Sequence, residues 1–501
     1  MAVDNSLRQY PMALPRLSPN VHAKSDKNPF TEISDSVFLL ARLSILLYIA
    51  AVFYIGISSR DVAPNQALRL LTLSVSTLIT TFPLWCRIKG VGLLHPLYVL
   101  AALSFLKGSF PTLVSAAEGI KFHGAIPSAS PRQVSMLQVQ VMGIGAMATV
   151  FMYLGYIATR GNSWTFVKFK RNDRLLIFGS FAALFVGVTS LWMVMDLSGG
   201  FFDHLKNISR GQKARIWVKD PKFASIYGNL ALLVLVAPAL WLLMRKRSLY
   251  NPFFWLMCLN AAATGYLISG RRTAAVTNVI ALVACWVVRR RSLAVGRMVL
   301  VGLMIFLFVG LVGEFRRSNW KRGSTINYDA LTNTSFQDAM ARSWEEIESR
   351  KVGGAVYAIV SQVPDKHPYR YGTIYLSYLN RFIPRLLWPN KPRGVGIECA
   401  YVFFGRVDSG GIPPGGIGEA YWSGGIFGVA IVFFIWGVLL RCIGNFYVKF
   451  RDAPVAILLY LATLTKLGPS EPQFRAWLYL VVPATALLGL AGIVRYKGGK
   501  R

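Results

Sequence analysis

The residues with the most chemical promise in this 501-residue chain are cations. Between 198 and 223, in SGGFFDHLKNISRGQKARIWVKDPKF, six of them (Lys206, Arg210, Lys213, Arg215, Lys219, Lys222) stand against Asp203 and Asp220 alone. That density suits a strongly anionic group such as a phosphate or pyrophosphate; contact with anionic lipid headgroups is the alternative. Arg271 and Arg272 form a second cluster at the start of an apolar run. There the helix dipole and unpaired backbone amides add to the guanidinium charge, although arginine at a span end also snorkels to the interface. The third cluster is RFIPRLLWPNKPR, 381–393, in which Arg381, Arg385, Lys391 and Arg393 alternate with Trp388 and three prolines. Planar guanidinium groups hold phosphate through paired hydrogen bonds, and an aromatic face suits a sugar ring or the bilayer interface.

Groups able to move a proton are few. Glu419 lies in the glycine-rich stretch GGIPPGGIGEAYWSGGIFG, 410–428, where it is either a counter-ion for the cations or a general base for a sugar hydroxyl. His367, in VPDKHPYRYG, and His204 are further candidate bases or structural histidines. The five histidines lack a neighbouring Asp, Glu or Cys at ligand spacing, so no metal site is expected. Five cysteines, most of them in apolar runs, do not make a disulfide framework.

The elements that must position these groups are membrane helices. A chain that is 54% hydrophobic, with mean hydropathy +0.45, 13 Trp and 31 Phe, is neither a soluble globule nor disordered, despite its +33 net charge. An all-α polytopic membrane protein of about twelve transmembrane helices is expected, with spans near 36–57, 67–86, 91–106, 134–158, 175–197, 224–244, 251–269, 273–288, 298–315, 422–440, 453–466 and 476–494. The short connections on one side hold 21 basic residues in 54 positions, against 13 in 74 on the other. The positive-inside bias then places both termini in the cytoplasm and the long segment after span nine outside. The expected divisions are a cytoplasmic disordered tail, 1–34; a membrane domain of nine spans, 35–315; a large, partly helical extracytoplasmic loop, 316–421; and a membrane domain with spans ten to twelve and a cytoplasmic end, 422–501. In the loop, Ser335-Phe336-Gln337-Asp338 predicts a capped helix start. Cytoplasmic connections are too short for a kinase, ATPase or nucleotide-sugar transferase domain, and no P-loop or GxGxxG is present.

The run YGTIYLSYLNRFIPRLLWPNKP followed by GIGEAYWSGGIFG, with SGRRTAAV at a helix start, resembles the oligosaccharide repeat-unit polymerases, the Wzy-type O-antigen and exopolysaccharide polymerases. The similarity spans roughly 195–440. It implies a glycosyltransferase C-like, metal-independent glycosyltransferase of the bacterial inner membrane, without nucleotide or other cofactor. Its donor and acceptor would be undecaprenyl-pyrophosphate-linked oligosaccharides, with membrane lipids, a chain-length regulator and a flippase as further partners and no nucleic acid. On that reading Arg271 or Arg272 holds the donor pyrophosphate with Arg210 and Arg215. Arg381, Arg385, Lys391 and Arg393 take a second phosphate or steer the acceptor. Glu419 and His367 are the bases, and Trp388, Tyr371 and Tyr421 bind sugar. Two rivals share the layout: an O-antigen ligase-type transferase, with the same donor but a different acceptor, and a polytopic glycolipid transporter or flippase.

Overall fold

Hydrocarbon offers the backbone no hydrogen-bond partners, so an apolar run in lipid must close its own bonds as a helix. The computed structural model describes residues 35–58, 66–85, 95–105, 131–159, 167–169, 172–209, 221–245, 248–269, 272–290, 302–304, 307, 310, 311, 313, 335, 337, 338, 354–380, 383, 387, 388, 392–406, 411–450, 453–491 and 494–496. In chain order its helices are α1 (Asp35–Ser58), α2 (Gln66–Trp85), α3 (Pro96–Ser104), α4 (Pro131–Ala158), α5 (Asp173–Asp196), α6 (Phe201–Ser209), α7 (Pro221–Leu230), α8 (Val236–Met244), α9 (Pro252–Ser269) and α10 (Arg272–Arg290). There follow α11 (Gly354–Gln362), α12 (Thr373–Leu379), α13 (Val395–Phe404), α14 (Gly415–Phe450), α15 (Pro454–Lys466) and α16 (Glu471–Leu490).

Among the described residues six helices are long and apolar enough to cross a membrane: Ala67–Trp85, Ser135–Ala158, Asp173–Asp196, Ile226–Met244, Gly415–Phe450 and Glu471–Leu490. The expected twelve-span, glycosyltransferase C-like layout is therefore corrected to a mostly helical membrane protein with about six long spans. The reason is that hydropathy marks burial in protein as well as contact with lipid. Helix α15 has 13 residues and nearly all its apolar side chains, from Pro454 to Leu464, are buried against other helices. Helix α3 has nine residues. The apolar stretches 39–54, 252–268 and 275–289 also fall short of a full span. Most of the expected span at 298–315 lies outside the described residues.

Ile226–Met244 runs α7 into α8 through a 3₁₀ turn, Ala231–Leu235, and is the most buried span; Val236 to Leu243 are all covered. The other spans turn large apolar side chains outward, Leu71, Phe185 and Phe427 among them, as lipid-facing helices do. Helices α4 and α14 form the most extensive pairing, and small residues permit it. A Cβ on Gly155 would collide with the carbonyl of Phe434, and one on Gly437 with that of Met152, so the two backbones touch directly. Among the described residues the all-α expectation has one exception: β1 (Val167–Phe169) pairs antiparallel with β2 (Val494–Tyr496), Lys168 opposite Arg495. This pair sits against the far end of α14, where the Phe169 ring meets Phe446 and Phe450.

Within the large loop, α11, α12 and α13 pack over the beginning of α14 through Ile359, Ile374, Tyr378, Cys399, Phe403 and Trp422. The predicted helix start at 335 is present as a reciprocal cap: Asp338 N–H donates to Ser335 Oγ at 3.1 Å and Ser335 Oγ–H donates to Asp338 Oδ2 at 2.6 Å.

Candidate functional site

Helix α14 is not one straight rod. Its 36 residues would measure about 54 Å at 1.5 Å per residue, well beyond the hydrocarbon thickness. The helix breaks at Gly424 and Gly425. Gly425, at φ 61° and ψ −142°, occupies a region closed to residues with a Cβ, and an added Cβ would lie 2.8 Å from Tyr369 Oη. Residues 426–450 remain long enough to span, while 415–423 form a separate piece under the α11–α13 cap.

Glu419 sits in that first piece and is completely buried. Its Oε2 accepts two hydrogen bonds, one from the Tyr378 hydroxyl on α12 and one of 2.9 Å from the backbone N–H of Glu471. The second N–H belongs to the opening residue of α16, one of the amides a helix cannot satisfy itself. Glu419 therefore joins three elements, α12, α14 and α16. Its Oε1 is buried with no hydrogen-bond partner among the described residues, and the same holds for the Tyr375 hydroxyl. Burial, reinforced by the Glu419 carboxylate, raises both Tyr375 and Tyr378 above the ordinary phenol range, so both keep their protons. Cys399 is buried beside them, its thiol pushed up to about 12 by burial and then by Glu419, which makes it inert as a nucleophile.

Tyr378 also lines an apolar groove of about 510 Å³. The groove runs along α14 (Ile435, Leu439, Phe446), α15 (Leu459, Thr463) and α16 (Phe474, Trp477) down to Phe169 of β1. Ring contacts carry the wall from Tyr375 to Tyr378, tilted at 60°, and on to Phe474, stacked on Tyr378, with centroid spacings of 5.3 Å. At the head of α16, Glu471 Oε1 lies 3.7 Å from Arg475 Nη1.

The turn 365–372 is pinned to the break in α14. Arg370 N–H donates to Trp422 O at 2.9 Å, its guanidinium pairs with Glu398, and its Cζ stands 5.3 Å from the Trp422 ring centroid. Around this anchor lie several sequence-predicted residues. Tyr371 is 80% exposed with its ring 6.1 Å from Tyr369. Tyr421 packs partly buried against the cap. His367 turns the edge of its ring to Phe403 at 5.1 Å. Glu419 and Tyr421 thus belong to one cluster, whereas His367 and Tyr371 stand on its outer side.

The cationic clusters are mostly beyond view. Arg210, Arg215, Arg271, Arg381, Arg385 and Lys391 lie outside the described residues, and of Arg272 only the backbone, opening α10, is described. Arg393 is exposed and Trp388 half-buried. His204 is a structural clip: its imidazole bonds Ser198 Oγ at 2.9 Å and Leu267 O at 2.8 Å, tying α6 to α9. Arg42 and Arg69, arginines toward the ends of the first two apolar runs, do not snorkel. Arg42 donates to the carbonyls of Leu84 and Trp85 at the end of α2, and Arg69 is buried. No group of His, Cys, Asp and Glu suited to a metal ion is found among the described residues.

Sequence reasoning missed Tyr378, Tyr375 and Glu471. Glu471 carried a signal, an acid in LGPSEPQFR between two strongly apolar runs, where an ionisable residue is expensive unless used. Tyr378 carried none, since only the fold brings it to Glu419. No curated protein and no solved structure matches the chain. A family described only as a domain of unknown function, DUF8712, matches residues 212–447, a stretch that takes in Tyr378 and Glu419 and stops short of Glu471.

Proposed function

We propose that the protein is a lipid-linked oligosaccharide polymerase of the bacterial inner membrane, extending undecaprenyl-pyrophosphate-linked repeat units into O-antigen or exopolysaccharide. The observation that carries this reading is that Tyr378 is shared between a lipid-sized apolar groove and a buried carboxylate. A polyprenyl chain suits a groove walled by Ile435, Leu439, Leu459 and Trp477, and its pyrophosphate would emerge near the tyrosines and Arg475. The exposed rings around Tyr371 offer sugar a stacking face. The acceptor hydroxyl passes its proton to Tyr378 while Tyr378 passes its own to Glu419. The acceptor oxygen bonds to the anomeric carbon of the donor, whose bond to pyrophosphate breaks, and undecaprenyl pyrophosphate departs with the electron pair. The donor carries its own leaving group, so no energy-harvesting domain is required.

The test is surface glycan length in a deletion strain complemented with wild type or Glu419→Gln. Polymerase loss leaves single repeats on the acceptor, and Glu419→Gln should reproduce that pattern at normal expression. Long chains stranded on the carrier lipid would indicate a ligase-type transferase instead, and unchanged long-chain glycan would refute the role of Glu419.

A further inference from the structure

On the face of α14 turned away from the groove, a second polar cluster is buried between α3, α4 and α14. Groove residues Leu439, Cys442, Ile443 and Phe446 lie on one side of this helix. Gly437 and Gly444, on the other, meet Met152 of α4 and Pro96 of α3. Arg441 and Asn445, one turn apart, share that second side. The Tyr156 hydroxyl accepts from Arg441 Nη1 at 3.3 Å and lies 2.7 Å from His95 Nε2, while the guanidinium carbon is 5.0 Å from the Tyr156 ring centroid. The Leu97 N–H donates to His95 Nδ1 at 3.4 Å, which leaves the neutral ring's proton on Nε2, facing Tyr156.

The cluster has donors and lacks an acceptor. With Tyr156 Oη accepting from both His95 and Arg441, its own hydrogen is left to donate. Arg441 Nε and Asn445 Nδ2 are buried without a hydrogen-bond partner among the described residues. Among the described residues no carboxylate pairs with Arg441. A cation removed from water without a counter-charge is costly, so such a cluster calls for an anion. Both Arg441 and Asn445 are half-buried, so their side chains reach the surface of the helix bundle. Arg441 is nine residues from the end of α14 at Phe450, about 14 Å along the helix, so the cluster lies toward the end of α14 opposite Glu419.

We propose that Arg441, Asn445 and Tyr156 form a binding site for the phosphate of an anionic membrane phospholipid, separate from the substrate groove and at the opposite end of α14 from Glu419. The guanidinium grips the phosphate, Asn445 and the Tyr156 hydroxyl donate to its remaining oxygens, and His95 orients Tyr156. The site stands whether or not the polymerase reading holds.

The test is native mass spectrometry of the full-length protein in detergent, titrated in parallel with phosphatidylglycerol, phosphatidylcholine, a polyprenyl monophosphate and inorganic phosphate. Wild type should retain phosphatidylglycerol over phosphatidylcholine. Arg441→Gln should weaken retention on the order of tenfold, the value of one charge-assisted hydrogen bond. Asn445→Ala and Tyr156→Phe, which preserve the helix and the ring, should each weaken it severalfold and secure the result should Arg441→Gln fail to fold. Equal retention by wild type and the two milder variants would overturn the proposal. So would preferential retention of the polyprenyl phosphate, which would make this a carrier site, or full occupancy by inorganic phosphate, which would remove the lipid.

Discussion

If Tyr378 and Glu419 form one proton path, their substitutions must fail to add. A positioned general base contributes roughly 10²- to 10⁴-fold to rate, so Glu419→Gln should lower chain extension by about that factor. Tyr378→Phe keeps the ring against Phe474 and removes only the hydroxyl that bonds Oε2, a polar link from the groove to the carboxylate. It should therefore lose activity to a similar extent. The double variant should be no slower than Glu419→Gln alone, since a broken path cannot be broken twice; independent roles would multiply to roughly 10⁴- to 10⁸-fold. The assay is the initial rate of extension of lipid-linked repeat units in proteoliposomes, with thermal melting to confirm that each variant folds. Folding is a real concern, because Glu419→Gln places an amide where Oε1 has no partner, at a cost of about 1–3 kcal/mol. A fully active Tyr378→Phe beside a dead Glu419→Gln would refute the relay, and multiplicative losses would refute the shared path.

Other consequences follow from the same geometry. Gly425→Ala puts a Cβ into a backbone region reserved for glycine and against Tyr369 Oη, so thermal melting should show a loss of about 1–3 kcal/mol, with glycan extension reduced as the Glu419 segment shifts. Leu459→Trp narrows the groove from α15; it should raise the KM for the lipid-linked donor several-fold while the melting temperature holds, and an unchanged KM would remove the groove from the donor site. His204 has its pKa lowered by burial, partly offset by its bond to the Leu267 carbonyl, so the folded protein prefers the neutral ring. Its stabilising contribution is complete above the unfolded value near 6.5 and declines as pH falls from there through the lowered folded value. Melting temperature should drop between pH 7 and pH 5 in wild type and drop less in His204→Gln.

The legible part of the fold is the part set by local pattern. The spans expected at 67–86, 134–158 and 175–197 match helices α2, α4 and α5 to within a few residues at each end, because each apolar run is long enough to decide its own structure. The strand pair β1–β2 was not legible, since two three-residue segments more than 300 positions apart carry no periodicity. Short helices such as α15 read as spans because a core helix and a lipid-facing helix are equally apolar. Glu419 was visible as an isolated acid among glycines, whereas its partners depend on how α12 and α16 close over it.

The start of α14 shows why the site in particular escapes local reading. The glycines from 415 to 418 have poor helix propensity and suit close helix packing, and the chain there is helical. Gly416 is pressed on Pro469 and Gly418 on Pro414 and Ile359, so the small residues are there to admit neighbours, and tertiary contact overrides their poor helix propensity. The same compactness buries Glu419 completely, and the break at Gly424–Gly425 frees its segment from the line of the spanning helix. A glycine-rich entry, a buried acid and a Gly-only break are therefore one device: it sets a carboxylate against the groove wall where α14 enters the bundle, and a rigid straight helix of the same length could not place it there.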